Sequence, residues 1–111
     1  MKQVLLVAML TMSPVAGAVA GADEPVVTLT IKDHRFDPAT LTVPAGVRLR
    51  IDVQNLDATA EEFESTGLHA EKIVVGGGHS VVRVGPLQPG RYAFGAEYHP
   101  EAKGELVAVA P

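Results

Sequence analysis

The sequence contains no cysteine and no tryptophan, and it has three methionines, Met1, Met9 and Met12, all near its start. Without cysteine, the domain cannot be stabilised by disulfides, although small exported domains often depend on them. Beyond Met12 the chain offers neither a thiol nor a thioether as a soft metal ligand. Its stability must therefore come from packing, and any metal site from nitrogen and oxygen donors.

The first residues have the pattern of a secretory signal peptide. Lys2 supplies a positive start, residues 4–10 form the apolar run VLLVAML, and the small residues Ala18 and Ala20 precede a cleavage position after residue 20. A retained membrane anchor needs about 20 apolar residues, and Ser13, Pro14 and Gly17 interrupt this run well before that length. We predict that residues 1–20 are a signal peptide and that residues 21–111 are one small domain, exported and not inserted in the membrane after cleavage.

Positive charge is scarce. The sequence carries 9 Lys and Arg against 13 Asp and Glu, so that losing Lys2 with the signal peptide leaves 8 against 13, a net charge of −5. This balance argues against nucleic acid and against anionic membranes as partners. It suits a cation or a basic protein surface, and it equally suits an exported protein that needs charge for solubility alone.

Helical periodicity is almost absent, and short β-type runs separated by turn residues fill the chain after residue 25. The run VRLRIDVQN alternates apolar and polar residues with a period of two, which is typical of a strand with one buried face. Turns are indicated by Pro44-Ala45-Gly46, by the glycine triplet at residues 76–78 and by Pro89-Gly90. The pattern predicts an all-β fold, an antiparallel Greek-key β-sandwich of about seven or eight strands. Residues 61–75 are ambiguous between two strands joined by a loop and a segment with one helical turn.

The motifs of nucleophilic catalysis and of phosphate binding are missing. There is no G-x-S-x-G sequence, and the glycine triplet is not followed by the Lys-Ser/Thr of a phosphate-binding loop.

Metal binding has more support. Glu97 and His99 are two residues apart, so they would project to the same side of an extended segment. Further ligands can come from Glu61 and Glu62 in the run AEEFES, or from His34. Such a nitrogen and oxygen set suits Cu(II), Fe, Mn(II) or Zn(II), and it does not suit Cu(I).

Each of these residues also has a structural explanation. His99, next to a proline, is then a solvated turn residue, and His34 bonds a loop carbonyl. Glu61, Glu62 and Glu64 then form a solvated strand edge. His69 and His79 show no partner pattern. Spacing alone does not decide between the two explanations.

The order of several short blocks resembles a cupredoxin domain. These blocks are FDPATLTVPAG, a strand that ends in VQN, EEFES, VRVGPLQPGRYAF, a short histidine loop and GELVAV. Where copper cupredoxins have their first ligand histidine, this chain has Glu61; the cysteine position falls near Ala96 and the methionine position near Ala102. A blue-copper electron carrier is therefore excluded, because the copper–thiolate bond has no residue to form it.

The segments EEFES, PLQPGRYAF and GAEYHPEAKG look more specifically like the cupredoxin-like proteins of bacterial ferrous-iron uptake systems. That group includes the domain of the EfeO family and a stand-alone periplasmic protein that accompanies an iron permease and a P19-type protein. The resemblance implies a periplasmic location, a site for Cu(II), iron or both, and Glu97, His99, Glu62, Glu61 and His34 as candidate ligands. It further implies a role in Fe(II) oxidation before transport. The alternatives are a non-redox metal chaperone or buffer, and a degenerate cupredoxin that acts as an interaction module.

Overall fold

The computed structural model describes residues 24–111 of the chain; the predicted signal peptide lies outside the described residues. Within them the backbone forms nine strands and no helix, and therefore no helix that could span a membrane. The strands are β1 (Val26–Lys32), β2 (Arg35–Asp37), β3 (Thr40–Pro44), β4 (Leu49–Asn55), β5 (Glu61–Ser65), β6 (Ala70–Val74), β7 (His79–Val84), β8 (Gly90–Ala96) and β9 (His99–Val109).

The strands form two sheets. The first sheet has the order β2-β1-β4-β7 and the second the order β3-β9-β8-β5-β6. The predicted all-β sandwich is confirmed, with nine strands where the sequence indicated seven or eight. Both sheets are mixed, because β1 runs parallel to β4 and β3 runs parallel to β9. These parallel pairs arise because the chain crosses between the sheets before it returns beside an earlier strand.

The core lies between the two sheets and contains one apolar face of each strand. In β4 the predicted alternation is observed: Leu49, Ile51 and Val53 are fully buried, and the intervening polar residues are half-buried. Three phenylalanines predicted to be core form an aromatic cluster. The ring of Phe36 meets those of Phe63 and Phe94 edge-on, at centroid distances of 6.3 and 5.0 Å.

The ambiguous segment 61–75 is two antiparallel strands, β5 and β6, joined by a turn. The predicted strand–loop–strand alternative is therefore confirmed, and the helical turn is not formed.

Strands β8 and β9 are joined by a tight turn that matters for the site. Ala96 pairs with His99, so Glu97 and Tyr98 alone form the connection. The next pair is Gly95 with Lys103, which leaves Pro100, Glu101 and Ala102 of β9 as a bulge. Bulges re-aim side chains at sheet ends. This one starts directly after His99.

Candidate metal site

Three predicted candidate ligands converge at one end of the sandwich. His34, Glu61 and His99 each offer a ligand atom, and these atoms all lie within 4.8 Å of one another. Both sheets contribute, because His34 lies in the turn between β1 and β2 of the first sheet, whereas Glu61 begins β5 and His99 begins β9 in the second. The cluster thus exists only when the two sheets are packed together.

Glu61 is the buried centre of the cluster, with 2% of its surface exposed. Its Oε1 accepts two backbone hydrogen bonds, from the N–H of Glu62 and from the N–H of Tyr98, both at 3.0 Å. These bonds fix the carboxylate and leave Oε2 facing His99, whose Nδ1 lies 2.5 Å away. The two backbone bonds hold the carboxylate in place, and an ion that binds Oε2 would have to replace its contact with His99 Nδ1.

The two imidazoles are closer to the surface. The ring of His34 stacks on that of His99 with a centroid distance of 3.7 Å and an interplanar angle of 16°. The side chain of His99 is 28% exposed and that of His34 is 44% exposed. The site therefore has a buried carboxylate floor and two imidazoles at its mouth.

His34 occupies an unusual backbone conformation. Both Asp33 and His34 have positive φ, 52° and 58°, in the left-handed region that residues with a Cβ rarely adopt. Asp57 stabilises this turn, because its Oδ1 accepts the N–H of Asp33 at 2.7 Å and its Oδ2 accepts the N–H of His34 at 2.9 Å. The pKa of the Asp57 carboxyl is lowered from its usual value, first of all by the hydrogen bond from His34.

The donor set determines which ions fit. A thiolate copper centre does not fit, since the chain has no cysteine. Two imidazoles and one carboxylate do fit Cu(II), Zn(II) or Fe(II). Two ligand atoms bonded at about 2.0–2.2 Å to one ion lie at most about 4.4 Å apart, so the cluster needs only a small closure to coordinate one.

The other two predicted ligands are elsewhere. Glu62 follows Glu61 on β5 and therefore points to the opposite face of the sheet. Glu97 is not part of the cluster either, and its charge acts instead on the carboxyl of Glu64. The predicted same-side arrangement of Glu97 and His99 requires an extended segment, and the chain turns at Glu97 and Tyr98 instead.

Glu62, Glu64, Glu71 and Glu97 lie near one another as an acidic group on that opposite face. The pKa of Glu64 is raised, chiefly by its hydrogen bond with Glu97, then by partial burial and by the negative charges of Glu97, Glu71 and Glu62.

Asp57 is the residue beside the site that sequence reasoning missed. Asn55 and Asp57 have the spacing of a side-chain-stabilised turn, and the N–H of Asp57 does donate to Asn55 Oδ1 at 3.0 Å. That spacing predicts a loop, yet it cannot reveal that the loop folds over residues 33 and 34, which are more than twenty positions earlier.

Comparison with known proteins finds a family model that matches this chain and one curated relative. The model of the family described as cupredoxin-like domain matches residues 2–108. An uncharacterized protein of Rickettsia prowazekii is 40% identical over 82 residues, which are 73% of this chain and 66% of that protein. The alignment thus spans slightly less than two thirds of that relative's length.

Solved copper proteins share the fold. Auracyanin A, a blue copper protein of Chloroflexus aurantiacus, superposes with a TM-score of 0.69 at 16% identity, over 78% of this chain and 100% of that one. The metal-binding domain of a Cu(I)-exporting P-type ATPase of Streptococcus pneumoniae gives 0.69 and 16%, over 76% and 84%. At this level of identity the likeness establishes the fold alone.

Proposed function

The chain belongs to the cupredoxin-like domain family, and we propose that it is an exported periplasmic protein that binds Cu(II) or iron through His34, Glu61 and His99. The observation that carries the proposal is the convergence of these three side chains from both sheets on one point. Glu61 is nearly inaccessible to solvent. A carboxylate with so little exposure is rarely found without a charged or hydrogen-bonding partner.

The proposed role is in ferrous iron uptake, in which the protein would act together with an iron permease and a P19-type periplasmic protein. Support comes from the segments EEFES and GAEYHPEAKG, which resemble those of iron-uptake cupredoxins, and from the replacement of soft ligands by a carboxylate. Bound copper would supply one-electron acceptance from Fe(II), with a dissolved oxidant such as dioxygen as the final acceptor. Carboxylate oxygen favours the hard Fe(III) product.

Exposure of the imidazoles supports a second candidate, a non-redox chaperone that hands ions to a partner. His34 and His99 line the mouth of the site at 44% and 28% exposure, so an incoming ligand can reach a bound ion. Aerobic consumption of Fe(II) separates the two candidates. Acceleration that requires added Cu(II) supports the oxidase, and stoichiometric binding without turnover supports the chaperone.

The His99→Ala variant tests the metal site itself. We expect it to weaken binding of Cu(II) at least tenfold, about 1.4 kcal/mol, in titration calorimetry. Glu97→Ala is the matched control, since Glu97 is two residues away and is not part of the cluster. Equal affinity of the His99 variant and the wild type for Cu(II) would show that the ion does not bind at this end of the sandwich. Failure of the wild type to bind any of these ions more tightly than about millimolar would instead favour a metal-free interaction module.

The colour of the Cu(II) complex is a further prediction. With nitrogen and oxygen ligands only, the complex should be pale and should lack the intense visible band that a thiolate ligand gives. An absorption spectrum with a strong blue or purple band would contradict the ligand set.

A further inference from the structure

The backbone of the turn that carries His34 is held by a single carboxylate. Asp33 and His34 both have positive φ, which costs about 1–2 kcal/mol for each residue with a Cβ. The two oxygens of Asp57 accept the two N–H groups of this turn, one each. The position of the His34 side chain therefore depends on Asp57.

Asp57 is itself fixed from the interior. Asn55, which is 1% exposed, accepts the N–H of Asp57 through Oδ1 and donates through Nδ2 to the carbonyls of Thr59 and Val74. The loop is also packed closely on Gly76, where a Cβ would lie 2.0 Å from the carbonyl oxygen of Ala58. The carboxylate of Asp57 thus has little freedom to move away from the turn.

The same carboxylate faces the ring of His34. Asp57 Oδ2 lies 3.5 Å from His34 Nδ1, which is too long for a hydrogen bond but close enough for its negative charge to favour a proton on that nitrogen, and it also accepts the His34 N–H. A neutral imidazole carries its proton on one nitrogen only, and the nitrogen beside a carboxylate is the one that keeps it. The other nitrogen, Nε2, then carries the lone pair that an ion requires.

We propose that Asp57 is a positioning residue of the site, which selects the His34 tautomer protonated on Nδ1 and so leaves Nε2 free to bind the ion. This inference rests on the proposed function for its purpose, since a tautomer choice matters only if His34 is a ligand.

The first test needs neither a variant nor a metal. Long-range ¹H–¹⁵N NMR correlations of the metal-free wild type, in slightly alkaline buffer in which imidazole is neutral, report the protonated nitrogen of each histidine. We expect His34 to be protonated on Nδ1 and unprotonated on Nε2. The opposite tautomer, or an equal mixture of both, would overturn the inference.

The second test is Asp57→Asn, which keeps one oxygen acceptor for the turn but removes the carboxylate from His34 Nδ1. We expect loss of the tautomer preference and about tenfold weaker binding of Cu(II), the usual size of such an effect. The hyperfine pattern in electron paramagnetic resonance should also change. Unchanged affinity together with an unchanged spectrum would overturn the inference while the metal site stands.

Asp52→Asn is the matched control. Asp52 Oδ1 contacts His79 Nδ1 at 2.9 Å, so it is a second carboxylate–imidazole pair, outside the candidate site. This variant should retain the wild-type affinity for Cu(II). A loss equal to that of Asp57→Asn would show that any such substitution weakens binding, and would overturn the inference.

A double-mutant cycle tests whether Asp57 acts through His34. His34→Gly removes the ring at a position whose positive φ suits glycine. In that background Asp57→Asn should cause no further loss of affinity, whereas a full additional tenfold loss would overturn the inference. If the Asp57 variant does not fold, the tautomer measured in the wild type tests the inference by itself. Should the wild type bind no metal, the proposed function fails, and the tautomer then tests only whether Asp57 sets the protonated nitrogen of His34.

Discussion

At the scale of single residues, Glu61 combines two tasks in one side chain. Oε1 satisfies two backbone N–H groups, and Oε2 faces His99. Because the tasks belong to different oxygens, substitutions can separate them.

Glu61→Gln keeps one oxygen for the backbone and puts an amide in place of the negative oxygen. We expect it to fold and to bind Cu(II) at least tenfold more weakly in a chelator competition assay. Glu62→Gln, at the neighbouring position on the opposite face, should bind as the wild type does. Comparable weakening in both variants would contradict the assignment of Glu61 as the ligand.

Glu61→Leu removes both oxygens and leaves the N–H groups of Glu62 and Tyr98 without their acceptor. Each such loss costs about 1–3 kcal/mol, so this variant should be less stable than Glu61→Gln in urea unfolding. Equal stability of the two variants would mean that the two backbone bonds contribute nothing.

At the scale of secondary-structure elements, the pairing of Glu64 on β5 with Glu97 in the β8–β9 turn makes stability depend on pH. The raised pKa of Glu64 reflects a hydrogen bond that exists only while one carboxyl is protonated. Its stabilising contribution is complete below the pKa of the unfolded chain and is lost as the pH rises through the raised folded value.

Glu64→Gln should therefore raise the melting temperature at neutral pH, where it relieves repulsion, and the gain should disappear under acidic conditions. Thermal unfolding followed by circular dichroism between about pH 3 and pH 7 measures this difference. Glu105→Gln is a suitable control, because the Glu105 carboxylate pairs with Arg91 at 2.9 Å. The loss of this ion pair should not raise the melting temperature at neutral pH. A gain for Glu64→Gln that is independent of pH would contradict the shared proton.

The β8–β9 turn also shows why the sequence predicted part of the site only. Glu61 and Glu62 were both predicted as ligands, although the alternation of a regular strand places them on opposite faces of β5. The same rule failed for Glu97 and His99, because Glu97 belongs to the two-residue turn before His99 and the turn breaks the period. His34 was named as a candidate, and its approach to His99 depends on the packing of two sheets, which local pattern does not encode.

At the scale of the whole molecule, a site built from both sheets links metal binding to global stability. Residues from each sheet contribute ligands, so unfolding destroys the site and a bound ion stabilises the folded state. An ion at 100 times its dissociation constant stabilises by about 2.7 kcal/mol. For a domain of this size that is roughly 10–20 °C in melting temperature.

We expect Cu(II) to raise the melting temperature of the wild type by this amount and a chelator to reverse the rise. The Glu61→Gln variant should show a much smaller change under the same conditions. A rise of equal size in that variant would indicate that the ion binds at another place.

The all-β class and the sandwich were predictable because alternation and turn residues are local signals, as in β4. The two parallel pairings were not, since each joins strands that are distant in sequence.

The parallel pairing of β3 with β9 has a consequence for folding. Strand β9 lies between β3 and β8, so until β9 is available β3 has no neighbouring strand in the second sheet and one edge of β8 is unpaired. The second sheet is therefore completed last, and the edges of β3 and β8 are open to pairing with other chains until then.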